Sequence, residues 1–249
     1  MKTPMRILIM LLVSLLILGC GIINLKGVNL ITPSDTIITE TRAVADFSNI
    51  NLSTFGKMNV TQGETVALTI TGADNLVPLV KTSVDNGVLT IRMDENIDIR
   101  NLDKENVLTY DITVKDLAGL TVSGLGDVEM AALNTNSLNV TMSGAGQVVL
   151  GQLAADDLDV TLSGLGNVEV AGEATQLVAD ISGAGSLKAG DLKCQTADIT
   201  IPGLGGATVW VTDTLTGEIS GAGSVSYYGN PQTSFKTSGA GSYKSLGDK

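Results

Sequence analysis

From about residue 117 onward, apolar and polar residues alternate in short runs. Leu158-Asp159-Val160-Thr161-Leu162 and Ala197-Asp198-Ile199-Thr200-Ile201 are two of the longer runs, while Val128-Glu129-Met130 and Val168-Glu169-Val170 are shorter ones. A period of two predicts strands that bury one face. Between a long run and the short run after it lies a glycine motif. Ser-Gly-x-Gly begins at Ser123, Ser143, Ser163, Ser182, Ser220 and Ser238, and Pro-Gly-Leu-Gly at Pro202 fills the remaining place. The seven starts are 20, 20, 19, 20, 18 and 18 residues apart, which is a structural repeat. Glycine permits positive φ or close backbone packing, as a sharp corner between strands requires. Each unit is too small to bury its own face, so equivalent units must stack about 4.8 Å apart into a solenoid.

Aligning the copies supports that geometry. The residue before each motif is Val122, Met142, Leu162, Ile181, Ile201, Ile219 or Thr237, and five residues after the motif start lie Val128, Val148, Val168, Leu187, Ala207, Val225 and Tyr243. Two stacked aliphatic columns are predicted to fill the core. Thr121, Thr141, Thr161, Asp180 and Thr200 form a polar outer column, and the x position alternates Leu125, Ala145, Leu165, Ala184, Leu204, Ala222 before ending at Ala240. The last copies degrade, and Tyr227, Tyr228, Phe235 and Tyr243 gather there as an expected cap. The fold class expected is all-β, a parallel β-helix of ~19-residue coils.

Residues 43–116 are β-rich and are read as lacking the glycine motif, as an N-terminal region or cap with antiparallel hairpins. Asn86-Gly87, between strand-like runs, is a strong hairpin signal. Gln62-Gly63, between Val60 and Val66, is a weaker one. Residues 94–106 are charged and expected to form a surface loop. Hairpins here would cover the exposed edge of the first coil.

The N-terminus has a different pattern. Lys2 and Arg6 precede an apolar run from Ile7 to Leu18, which is too short to span a bilayer comfortably and has the shape of an export signal. It ends in Ile17-Leu18-Gly19-Cys20, which resembles a bacterial lipobox and implies cleavage before Cys20 and its lipidation. Gly21, where an aspartate would signal inner-membrane retention, favours the outer membrane by resemblance to Gram-negative lipoproteins. Residues 20–42 lack a clear period and are expected to be a tether.

Composition narrows the chemistry. The 249 residues include no histidine, two cysteines and 16% charged residues, with a formal net charge of −11. Removing residues 1–19 would take away two basic residues and no acidic one, leaving 13 basic against 26 acidic. Without histidine, the commonest general base, the Ser/His and Cys/His pairs and most zinc sites are excluded. Acidity argues against nucleic acid as a partner. Cys194 would be a lone thiol in the mature chain, read as a small buried hydrophobe.

Ser-Gly-x-Gly is not a phosphate-cradling loop, because such a loop opens a helix and occurs once. Ser-Gly-Leu-Gly-Asp at Ser123–Asp127 resembles a calcium β-roll repeat, but Gln147, Asn167 and Ser186 replace the aspartate in the next copies. Asp156, Asp157 and Asp159 are read as a solvated acidic corner. No cofactor or metal site is expected. Trp210 and Tyr228, each eight residues after a motif start, are nominated as possible contacts to a glycan or protein surface.

The Phe-Ser-Asn-Ile opening at Phe47, the Gln62-Gly63 turn, Asn86-Gly87-Val88-Leu89-Thr90-Ile91 and the glycine series together resemble the auto-transporter adhesin head GIN domain family. That resemblance implies a right-handed β-helix on a secreted or surface-anchored protein, and it carries no catalytic residues. The expected domains are a signal peptide at 1–19, a tether at 20–42, the N-terminal region at 43–116 and the seven-corner β-helix at 117–249. The expected function is a non-enzymatic envelope lipoprotein that binds or scaffolds, with the membrane as one partner and a homo-oligomer as another. The alternative is a carbohydrate-active β-helix enzyme. A hydrolase would need two facing carboxylates, for which Asp127, Glu129, Glu169 and Asp180 are candidates by residue type alone.

Overall fold

The computed structural model describes residues 29–94, 97–100 and 107–249. The export signal and Cys20 lie outside these. The described chain is β throughout except for one 3-10 turn, Val77–Leu79. It is a stacked-coil β-solenoid, as the repeat predicts.

A glycine corner divides each coil into a side before it and a side after it. On the side before the corner, Gly119–Val122 pairs parallel with Ser137–Met142, and the ladder continues through residues 157–162, 176–181, 196–201, 214–219 and 232–237. On the side after it, Leu125–Met130 pairs with the start of Gln147–Leu162, and the register then runs Val148, Val168, Leu187, Ala207, Val225, Tyr243. A short third side stacks Leu133 on Leu153, and Ala174 on Cys194 on Val211. Both predicted core columns are buried from Val122 to Ile219 and from Val128 to Val225, while Tyr243 is partly buried. In the central coils the strands run 14–16 residues, as in Gln147–Leu162 and Gly206–Ile219. These strands are longer than the short alternating runs in the sequence, because the other bends are taken by register shifts such as that between Leu150 and Leu153.

Seven corners stack as the spacing predicts, and an eighth lies beneath them. Asn49–Ser53 pairs parallel with Gly119–Val122, and Phe55–Gln62 with Leu125–Met130. The link between these strands, Ser53-Thr54-Phe55-Gly56, therefore underlies Ser123-Gly124-Leu125-Gly126, and the Ser53 and Ser123 hydroxyls lie 2.9 Å apart. Residues 43–116 thus do carry a form of the motif, with threonine replacing its first glycine.

The reason is visible at the corner. A Cβ on Gly124, Gly144, Gly164, Gly183, Gly203, Gly221 or Gly239 would lie well under 3.0 Å from the carbonyl oxygen of the equivalent residue one tier below. Backbone contact, not positive φ, demands these glycines. Among the described residues no further corner lies below Thr54. Tyr110 packs under Phe55 and Gly56 there, its hydroxyl donating to the Phe55 carbonyl at 3.2 Å.

The N-terminal end is closed by a change from parallel to antiparallel pairing. Val88–Met93 lies parallel to Asn49–Ser53 and antiparallel to Val80–Asp85. The Asn86-Gly87 turn joining the latter pair has φ of 48° and 76°, as the hairpin signal predicts. The Gln62-Gly63 expectation is corrected. Thr109–Val114 inserts between Phe55–Gln62 and Ala67–Ala73, so those two strands are not paired as a hairpin.

Two further expectations change. Ile37–Arg42, within the expected tether, is a strand antiparallel to Ala67–Ala73. Ile97–Ile99, within the expected loop, pairs parallel with Asn29–Ile31. At the opposite end, Phe235 stacks on Tyr243 with centroids 4.0 Å apart and meets Tyr227 at 5.8 Å. Three of the four expected aromatics thus close the core. Tyr228, the fourth, pairs in register with Trp210 instead.

Candidate functional site

In the central corners the backbone amides are spent on the neighbouring coil. In the third tier, the amides of Ser163 and Gly164 donate to the Met142 carbonyl and that of Leu165 to the Gly144 carbonyl; the tier below repeats the pattern with Ser143, Gly144 and Ala145. These donors are spent on the next coil, leaving no nest of free amides for a phosphate. One position further on, the Asp127 carboxylate accepts the Gln147 amide at 3.0 Å, and Asn167 accepts the Ser186 amide at 3.2 Å and its hydroxyl at 2.6 Å. The aspartate that resembles a calcium-repeat residue therefore caps a strand.

The other carboxylates nominated by type have similar employment. Glu129 pairs with Lys57 at 2.9 Å and Glu169 with Lys188 at 3.7 Å, all partly exposed. Asp180 stands exposed in the outer column between Thr161 and Thr200. Asp156 and Asp157 are exposed, and among the described residues no group of three or more acidic, His or Cys side chains could hold a metal ion. Cys194 is buried, its thiol pushed up to about 12 by desolvation, so the thiolate needed for nucleophilic chemistry is suppressed.

What the solenoid displays instead is an apolar edge. The side chains at the x position of the motif point outward. Leu125, Leu165 and Leu204 are 71%, 72% and 70% exposed. Alanines occupy the tiers between them, so the leucines recur every second coil, about 9.6 Å apart. Phe55 continues the column below, partly buried against the core. No corner in the column contains a charged residue, although the chain as a whole is acidic. The alternation was legible in the sequence. Its outward direction was not, because period-two reasoning stops where the strand does.

Two grooves flank the short third side. One of about 390 Å³ is lined mainly by polar residues, including Asn134, Asp156, Glu173 and Lys193. A wider one of about 910 Å³ runs past Gln62, Lys115, Gln152 and Glu173. Gln62 has a structural task here. Its side-chain amide donates to the Asn134 carbonyl and accepts the Asn134 amide, both at 2.9 Å, capping the open end of the third-side ladder.

The nominated contacts Trp210 and Tyr228 are brought together as register neighbours where the second side bends into the third. Lys193 pairs with Trp210 on the coil before. Lys249 places its Nζ 5.5 Å from the centre of the Trp210 ring and 5.1 Å from that of Tyr228.

Comparison with known proteins agrees with this architecture. A crystal structure described as a putative adhesin from Bacteroides fragilis is 30% identical, covers 87% of this chain and 100% of its own, and superposes with a TM-score of 0.82. A structure from Parabacteroides distasonis described as a putative lipid binding protein (23% identity, 88% and 100% coverage, TM-score 0.71) is similar in fold. So is a putative adhesin from Parabacteroides merdae (22% identity, 88% and 99% coverage, TM-score 0.67). No curated protein matches the chain. The model of the family described as putative auto-transporter adhesin, head GIN domain, matches residues 46–231. That match begins just before the Ser53 corner and covers all but the last of the glycine tiers, so the chain belongs to the adhesin head GIN domain family.

Proposed function

We propose that the chain is a non-enzymatic envelope lipoprotein, anchored to the outer membrane through Cys20, whose solenoid binds a partner surface. The observation that carries the binding role is the ridge of Leu125, Leu165 and Leu204. Three leucines held about 70% exposed on corners that contain no charged residue contribute little to the fold, and depletion of charge around exposed apolar groups marks contact surfaces. A solenoid edge suits this task, because stacked coils hold the three side chains in fixed register.

Anchoring and binding are tested separately. Palmitate should label the wild type and leave Cys20→Ala unlabelled in the soluble fraction; a variant that still labels and stays with membranes contradicts the anchor. Purified protein should bind saturably to cells or immobilised glycans without releasing sugar fragments. Depolymerisation of a uronate or neutral polysaccharide above a mock preparation would replace the binding role with an enzymatic one.

A further inference from the structure

We infer that the bend carrying Trp210 and Tyr228 is a binding site for a primary ammonium group, of the kind a partner's lysine side chain presents, and that Lys249 occupies it in the isolated protein. The site lies on a different edge from the leucine ridge and does not depend on it.

A register shift builds the site. Ala189 pairs with Val209 and Lys193 with Trp210, so three residues on one coil, Gly190 to Leu192, oppose none on the next. Gly190 is in register with neither neighbouring coil, its carbonyl accepts the Lys249 ammonium, and shifts of this kind re-aim the groups they contain. A side chain at position 190 would press on the Tyr228 ring, with Cβ 3.3 Å from it. Glycine therefore leaves room for the ring, and exposed Asp191 follows directly.

The Lys249 ammonium finds four groups there. It donates to the Gly190 carbonyl and to the Asp191 carboxylate, and it lies over both the Trp210 and Tyr228 rings. Its side chain is 31% exposed against 78% for Asp191, so the lysine is the sheltered partner of that pair. Lys193, by contrast, approaches only Trp210, at 5.9 Å. A carboxylate and a carbonyl need N–H donors, while ring faces attract the charge. Together they select a primary ammonium over a quaternary one. The net negative charge of the chain concentrates such cations at its surface.

Trp210 is the sole tryptophan, so its fluorescence reports the site in the full-length protein. Lys249→Ala should change the emission, and Asp191→Asn, which weakens the hold on Lys249, should move it in the same direction. The Lys249→Ala protein should then bind Nα-acetyl-lysine amide saturably. The wild type should bind it more weakly, because only molecules with Lys249 displaced are competent. In the Lys249→Ala background, Tyr228→Leu should weaken binding roughly two- to five-fold. Tetramethylammonium, without N–H groups, should bind more weakly than the lysine amide. Unchanged emission in Lys249→Ala, or no saturable response to the lysine amide in that variant, would overturn the assignment. Tighter binding of glucosamine, another primary ammonium, than of the lysine amide would overturn the lysine side chain as the ligand and give the site to amino sugars.

Discussion

At the scale of single residues, the corner separates two side-chain demands that share one motif. Its first glycine is required because the backbone of the tier below occupies the space of a Cβ, whereas the residue after it projects into solvent. Gly164→Ala should therefore cost about 3 kcal/mol or more, through overpacking that cannot relax against backbone. Leu165→Ala should stay within about 0.5 kcal/mol despite removing a large apolar group. Thermal melting of the two variants checks this; equal losses would contradict it.

Two buried acids give the stability a direction with pH. Burial raises the Cys194 thiol from 9.0 to about 12 and also raises the Tyr110 phenol. The folded state thus holds protons that the unfolded chain would release. The stabilisation is complete below the unfolded values and is lost as pH rises through the window from about 9 to the folded values. Melting temperature should fall above pH 9, and Cys194→Ala should show a shallower fall. An identical slope in that variant would remove Cys194 from the cause.

At the scale of elements, much could be read from the sequence, for identifiable reasons. Stacking puts like residues over like, so the Val122 and Val128 columns show directly in an alignment of the copies, and Asn86-Gly87 carries its own turn chemistry. The Ser53 corner escaped because Thr54 breaks the pattern and the next copy lies 70 residues later. Ile37–Arg42 escaped because it is an edge strand with partly exposed alternation, which offers weak periodicity. The Gln62 turn misled because local signals cannot show that Thr109–Val114 returns to lie between the two runs. Trp210 and Tyr228 were brought together by counting from the motif, but Lys249 carries no signal that places it over them.

The aromatic closure is an element-scale device with its own test. Residues Gln232–Thr237 and Ser242–Ser245 are paired with coils on one edge only, and the Tyr227, Phe235 and Tyr243 rings cover the core end beside them. Phe235→Ala should speed amide exchange in residues 232–245 at least tenfold while leaving residues 147–181 protected. Uniform acceleration along the solenoid would show instead that the coils open as one unit.

At the scale of the whole molecule, the solenoid joins two properties that are usually in conflict. Its interior is continuous and apolar from the Val77–Leu79 turn to the aromatic end, and antiparallel strands complete the N-terminal edge. Its surface nevertheless keeps a row of leucines that the core does not need. The most direct test replaces Leu125, Leu165 and Leu204 together by serine and measures melting alongside saturable binding to whole cells. Melting temperature should stay within a few degrees of wild type, and cell binding should fall at least tenfold. Unchanged binding by a folded triple variant would contradict the binding role of the leucines.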